Sequence, residues 1–76
     1  MTSKQIEARI KEAFPKGEVL VLDLTGSSDH FEVRVLTPEF AGKTRIQQHQ
    51  SIMKLFDPEL KSGEVHALAV KTLVKE

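Results

Sequence analysis

The sequence has 76 residues, of which 39% are hydrophobic and 29% are charged, so its size and composition fit one folded domain and argue against a disordered chain. Eleven basic residues balance eleven acidic ones, which leaves no net charge to attract a polyanion such as DNA or RNA. The absence of cysteine excludes disulfides and thiol metal ligands. The apolar run Val19–Leu22 is far shorter than the roughly 20 residues of a membrane span, and Met1–Lys4 does not open a secretory signal. We therefore expect a cytoplasmic protein with no membrane contact.

The first predicted element is a helix at about Ser3–Phe14. Ile6 and Ile10 recur at helical spacing, which gives this segment one apolar side. Thr2 and Gln5 match a capping box at its start, and a proline follows its last residue. This segment is expected to pack one face against a core.

A β-hairpin is predicted next. Glu18–Thr25 and His30–Leu36 are rich in β-branched and leucine residues, and Gly26–Asp29 between them is a cluster of turn-forming residues. In the second strand polar and apolar residues alternate, so one face should meet the core and the other water. His30 is thus predicted on the open face, where the strand begins.

The second half predicts a helix at about Thr44–Phe56, a short helical turn with Asp57 as its N-cap, and a third strand at Val65–Val74. The residues expected along one stripe of the longer helix are Ile46, His49, Met53 and Phe56. The order is α-β-β-α-α-β, an α+β fold within a single domain over residues 1–76. The first two strands must be antiparallel, whereas the long helical connection permits a parallel third strand beside the second, giving a three-stranded mixed sheet.

Two histidines come together in that topology. His30 opens the second strand and His66 lies at the start of the third, so parallel neighbours about 5 Å apart bring both imidazoles to one edge of the sheet. Neutral imidazole nitrogens ligate metals. Two ligands are half of a usual first shell, so we expect a partner molecule to supply the rest. The alternation of the third strand conflicts with this expectation, because it groups His66 with Leu68 and Val70 on a core face.

Three spaced motifs resemble the signature of the BolA family. These are Phe40-Ala41-Gly42-Lys43, then Gln48-His49-Gln50, then Val65-His66-Ala67-Leu68. They correspond to Phe-x-Gly, a downstream Arg-His, and Ile/Val-His-Ala-Leu, and the similarity covers nearly the whole chain. Gln48 replaces the arginine that usually precedes the helix histidine, which is similar to the IbaG/YrbA-like branch and puts an anion-binding role of that arginine in doubt.

The resemblance implies a fold like that of class II K-homology domains and a partnership with a monothiol glutaredoxin. It also implies a [2Fe-2S] cluster shared with that partner and glutathione, and no cofactor in the isolated apo domain. By this analogy His66 is the family's C-terminal histidine ligand, and His30 takes the place of the ligand from the loop between the first two strands. The expected role is iron–sulfur trafficking or iron and redox regulation, with links to transcription regulation and the stress response.

DNA binding is the alternative function. The two helices between the second and third strands could act as a helix-turn-helix, with Lys43, Arg45, His49 and Lys54 as partner-binding or nucleic-acid-binding residues. The zero net charge counts against it, and so does the shortage of aromatic residues for base stacking. Gly42-Lys43-Thr44 is not a phosphate loop, because that pattern requires glycine where Thr37 stands.

Several simpler interpretations stay open. His66 could be a strand histidine bonded to a loop, His30 a solvated hairpin residue, and His49 a structural residue of the second helix. Ser27, Ser28 and Asp29 supply catalytic residue types beside His30, but their crowding into one turn argues against an enzyme. The sequence also leaves open whether the free protein forms a weak homodimer.

Overall fold

The structure is a computed structural model that describes residues 1–24, 26 and 30–75. The elements in chain order are α1 (Ser3–Ala13), β1 (Glu18–Asp23), β2 (His30–Thr37), a 3₁₀ turn (Pro38–Phe40), α2 (Arg45–Leu55), α3 (Asp57–Ser62) and β3 (Ala67–Val74). The predicted α+β order is confirmed. Within the described ranges, every helix is too short or too polar to serve as a membrane span.

Two capping boxes start the longer helices. Before α1, the Gln5 amide donates to Thr2 Oγ1 over 3.2 Å, and the Thr2 amide donates to Gln5 Oε1 over 2.9 Å. Thr44 and Gln47 form the same reciprocal pair before α2. Each box satisfies backbone donors that the first helical turn leaves without partners. The start of α1 was predicted at the right residue for this reason.

The core-facing side of α2 differs from the prediction. The expected stripe is wrong for three of its four residues. Ile46 is 69% exposed and His49 and Met53 are only half-buried, whereas Phe56 is buried in the core. The buried residues are instead Gln48 and Ile52, one helical turn apart. A search for apolar periodicity misses this face because one of its two buried members is an amide.

The short helix α3 also begins differently from the prediction. Its N-cap is Phe56, without a side-chain capping bond, so the assignment of Asp57 as N-cap is wrong. Asp57 lies inside the first turn, where its carboxylate pairs with Lys61 Nζ at 2.8 Å along one helix face. Gly63 ends the helix with φ of 82°, a left-handed conformation that glycine adopts without strain.

The three strands form one mixed sheet in the order β1-β2-β3. β1 and β2 are antiparallel, with Asp23 opposite Phe31, and β2 and β3 are parallel, with His30 opposite Ala67. The hairpin and the parallel crossover are therefore both confirmed. β3 starts at Ala67 instead of Val65, and the predicted end of β1 at Thr25 lies outside the described residues.

The core lies between one face of the sheet and the helices. Its buried members are Ile6, Ile10, Phe14, Phe31, Val33, Val35, Phe40, Ile52, Phe56 and Val65. All four phenylalanines belong to it, and the rings of Phe14 and Phe40 pack with centroids 5.0 Å apart. The opposite face of the sheet exposes Leu20, Leu22 and Leu73. No described phenylalanine ring is therefore available as an exposed platform for bases.

Candidate metal centre

The sheet brings two imidazoles together from positions almost half the chain apart. His30 is the first residue of β2, and His66 directly precedes β3. Because the parallel register sets His30 opposite Ala67, the ring of His66 reaches that of His30. The ring centroids are 5.8 Å apart and the planes meet at 84°. We call these two residues the histidine pair.

His66 lies at the surface and His30 is half-buried. The predicted conflict with the alternation of the third strand does not arise, since His66 precedes the strand and is free of its register. Leu68, Val70 and Thr72 face the helices as the alternation requires. The surface position of His66 leaves its imidazole accessible to a partner molecule, whereas the Nδ1 atom of His30 is buried.

The segment before β3 fixes where His66 lies. Val65 is 1% exposed, belongs to the core, and donates its amide to the Glu59 carbonyl over 3.2 Å. Gly63 is close on the other side, since a Cβ built on it would lie 4.0 Å from Cδ2 of His66. His66 is thus held between an anchored core residue and the first residue of a strand.

The donor set of the histidine pair is incomplete for a closed metal site. Among the described residues, no group of three or more histidine, cysteine, aspartate or glutamate side chains could hold a metal ion. Structural metal sites usually need four protein ligands. The pair alone offers two imidazole rings, fewer donors than the four of a usual structural metal site.

A charged cluster lies next along the same face of β2. Glu32 Oε2 is 2.9 Å from Arg34 Nε, and Glu32 Oε1 is 3.5 Å from Lys71 Nζ. Desolvation of the carboxyl raises the pKa of Glu32, but the hydrogen bond from Arg34 and the charges of both cations outweigh it and hold that pKa below its ordinary value. The Glu32 carboxylate is thus engaged by two cations.

The four residues predicted to bind a partner or nucleic acid do not form one site. Lys43 and Lys54 line a groove of about 800 Å³ between α2 and α3, whereas Arg45 and His49 line a separate groove beside β3. His49 is half-buried within this second groove. Ser27, Ser28 and Asp29, weighed above as catalytic residue types, lie outside the described residues.

Two buried polar residues were missed by the sequence analysis. The Thr72 hydroxyl donates to Gln48 Oε1 over 2.7 Å, and Gln48 Nε2 donates to the carbonyls of Lys43 at 2.9 Å and Phe40 at 3.5 Å. The amide of Gln48 therefore joins α2 to β3 and to the connection after the 3₁₀ turn. Its spacing of four from Ile52 was the available signal, but a glutamine there is ordinarily a surface residue.

Comparisons with known proteins agree with this fold. A family model described as BolA-like protein matches residues 4–76. A protein from Acinetobacter guillouiae, described as an uncharacterized protein in the rpoN-murA intergenic region, is 33% identical over 76 residues, which cover 100% of this chain and 88% of the relative. Protein BOLA2 from Arabidopsis thaliana is 31% identical over 72 residues, which cover 93% of this chain and 75% of the relative.

A solved structure extends the comparison to the fold. The BolA domain of SufE1 from Arabidopsis thaliana matches with a TM-score of 0.83 at 27% identity, covering 95% of this chain and 90% of that one. The resemblance read from the three motifs is thereby confirmed, while the IbaG/YrbA-like branch stays a prediction. With a family model covering nearly its whole length and relatives more than 30% identical over most of theirs, this chain belongs to the BolA-like protein family.

Proposed function

We propose that this chain is a non-catalytic BolA-like module that partners a monothiol glutaredoxin and shares a [2Fe-2S] cluster with it and with glutathione. The role proposed is iron–sulfur trafficking or iron and redox regulation. The observation that carries the proposal is the histidine pair, two imidazoles 5.8 Å apart at the start of parallel strands, one of them at the surface.

The donor chemistry of the pair fits such a cluster. Histidine replaces cysteine as an iron ligand in some [2Fe-2S] centres, and this chain has no cysteine to offer. His66 is the principal ligand in the proposal because it is exposed toward a partner, and His30 is the second. A complex of two chains supplies the ligands that one chain lacks.

Imidazole ligation has two chemical consequences. When bound, the cluster supplies one-electron redox chemistry, and histidine in place of thiolate raises its potential. A protonated imidazole cannot ligate, so acid should weaken binding through this pair. The contribution of this chain is to hold the two imidazole rings beside each other, with centroids 5.8 Å apart, at one end of the sheet.

The proposal is tested by visible circular dichroism. The apo protein is titrated into a monothiol glutaredoxin loaded with cluster and glutathione. We expect a new spectrum that saturates with the protein, is lost in His66→Ala and is altered in His30→Ala. The matched control is His49→Ala, which removes the third histidine from α2 and should leave the new spectrum in place. Far-ultraviolet spectra verify that each variant is folded.

Two outcomes would defeat the shared-cluster proposal. One is a glutaredoxin spectrum that does not change when the apo protein is added. The other is a change that survives in His66→Ala, because the new signal would then arise from contact without ligation. A change that survives in His66→Ala is also what a scaffold would give if it bound the glutaredoxin without ligating its cluster.

DNA binding is the second candidate function, and the exposed cations Lys43, Arg45 and Lys54 on and before α2 are the observation in its favour. It predicts a salt-dependent mobility shift of duplex DNA. A duplex that shows no shift at low salt would remove this candidate.

A further inference from the structure

A second surface lies at the far end of β3 from the histidine pair. A groove of about 560 Å³ is lined by Val70–Leu73 of β3, by Arg34–Leu36 of β2, and by Arg45 and His49 of α2. We call it the β3 groove. At about 3.3 Å per strand residue, its first β3 residue lies roughly 13 Å along the chain from His66. The two surfaces can therefore be tested separately.

Part of the lining of the β3 groove belongs to an outer strand of the sheet. β3 is an outer strand of the sheet that the described residues form, with β2 on its other side. An outer strand directs alternate backbone N–H and C=O groups away from the sheet, where an added strand can pair with them. Leu73 on the open face is 66% exposed, while Val70 faces the helix side, so apolar side chains are available on both sides of the backbone.

The charges around the β3 groove are mostly positive. Arg34, Arg45 and Lys71 line it together with His49, and no carboxylate is among its lining residues in the described part of the chain. The carboxylate of Glu32 is not part of the lining, but it forms ion pairs with Arg34 and Lys71 and so offsets one of the three positive charges. A local excess of positive charge thus persists in a chain whose formal net charge is zero.

We propose that the β3 groove binds an extended acidic segment of a partner protein, which adds to β3 as a fourth strand. The segment's backbone pairs with the outward groups of Val70–Leu73. Its acidic side chains meet Arg45 on the helix side and Lys71 with Arg34 on the open face, and its apolar side chains contact Val70 and Leu73. A nucleic acid fits this edge less well. Its phosphate groups can accept hydrogen bonds from the outward N–H groups of β3, but they have no donors for the outward carbonyls.

The probe is a capped hexapeptide of alternating valine and glutamate, and its binding to the apo protein is measured by ¹⁵N–¹H NMR titration. Saturable shifts are expected in the amides of residues 70–73 and of Arg45. Substitution Arg45→Gln should weaken binding about two- to fivefold, the range of one exposed ion pair. The matched control Lys4→Gln removes an exposed cation from α1 and should leave the affinity unchanged.

Two control peptides and a DNA duplex separate strand addition from other contacts. The same hexapeptide N-methylated at alternate residues keeps its charge but loses backbone donors, and a peptide of alternating valine and lysine reverses the charge. Both should fail to bind. Three outcomes would overturn the proposal. They are binding of either control peptide as strong as that of the acidic peptide, equal affinities of Arg45→Gln and Lys4→Gln for the acidic peptide, and a DNA duplex that shifts the same amides more strongly than the acidic peptide does. In His66→Ala the peptide affinity should be unchanged, which keeps this surface distinct from the histidine pair.

Discussion

At the scale of single residues, the hydrogen bonds of the Gln48 amide explain why a polar residue is buried on α2, which hydrophobicity alone does not. The amide offers an acceptor oxygen and a donor nitrogen, and both are used: the oxygen accepts from Thr72 and the nitrogen donates to the carbonyls of Lys43 and Phe40. Buried polar groups are tolerated when their hydrogen bonds are made. A polar residue can therefore occupy the core-facing side of α2.

Replacing Gln48 by alanine should destabilise the protein. The buried Thr72 hydroxyl would lose its acceptor, and the carbonyls of Phe40 and Lys43 would lose a donor in a buried and a part-buried setting, which we expect to lower the free energy of unfolding by about 1–3 kcal/mol. Urea denaturation measures it, with Gln50→Ala as the control because Gln50 is an exposed amide on the same helix. A loss in Gln48→Ala no larger than in Gln50→Ala would show that the buried network adds no stability.

At the scale of elements, an arginine clamp docks α3 onto α1. Arg9 Nη1 and Nη2 bind the two carboxylate oxygens of Glu59 at 2.6 and 3.1 Å, and Nη1 also donates to the Leu55 carbonyl at 3.0 Å. The guanidinium lies 5.1 Å from the centre of the Phe56 ring. α3 has no fully buried side chain, and this clamp joins it to α1 a few residues before His66.

The clamp predicts a pH dependence of stability. The hydrogen bond from Arg9 holds the pKa of Glu59 below its ordinary value. A carboxyl group whose pKa is lower in the folded than in the unfolded state stabilises the fold above its unfolded pKa, and this contribution is lost as the pH falls through the folded pKa. Wild-type protein should therefore be more stable than Glu59→Gln at neutral pH, and the two unfolding free energies should converge in acid.

Urea titrations at a series of pH values measure this convergence. In an Arg9→Gln background, the Glu59→Gln substitution should have a much smaller effect at neutral pH, because its partner is already absent. A wild-type advantage that stays constant from neutral pH into acid would contradict the assignment of the effect to this ion pair.

The elements that the sequence predicted correctly are those encoded by neighbouring residues. The capping box at Thr2, the hairpin and the start of β2 all follow from local spacing, and the parallel placement of β3 follows from the length of its connection. The features that were missed depend on distant partners. Gln48 meets Thr72 across 24 positions and Arg9 meets Glu59 across 50, so their roles appear only in the folded chain.

The histidine pair was predictable in outline but not in detail. The topology placed His30 and His66 at the same edge, which the structure confirms. The strand boundary was missed by two residues, since Val65 is apolar and β-branched but is drawn into the core before the strand begins. That boundary decides whether His66 faces the core or the surface, and no local pattern records it.

At the scale of the whole molecule, β2 is the centre of the architecture. It pairs with β1 on one side and β3 on the other, and Phe31, Val33 and Val35 on its inner face are at most 2% exposed. The helices cover that face only, while leucines remain exposed on the other. We therefore expect β2 to be the last element of the protein to unfold.

Hydrogen exchange tests this expectation. Amides in the middle of β2 should exchange most slowly, because each is paired within the sheet and opens only when the core does. Outward-facing amides of β1 and β3 should exchange faster, since neither strand has a neighbour on its outer side among the described residues. Protection in β1 or β3 as strong as in β2 would show that the sheet has no preferred centre.

The parallel pairing of β2 with β3 has one more consequence. The two imidazoles become neighbours only after the whole helical crossover has been laid down, so a chain that has formed its hairpin but not its crossover carries two isolated rings. In the shared-cluster proposal, binding through both rings therefore requires the complete native topology. On that proposal, a chain that lacks the crossover could not bind the cluster through both histidines.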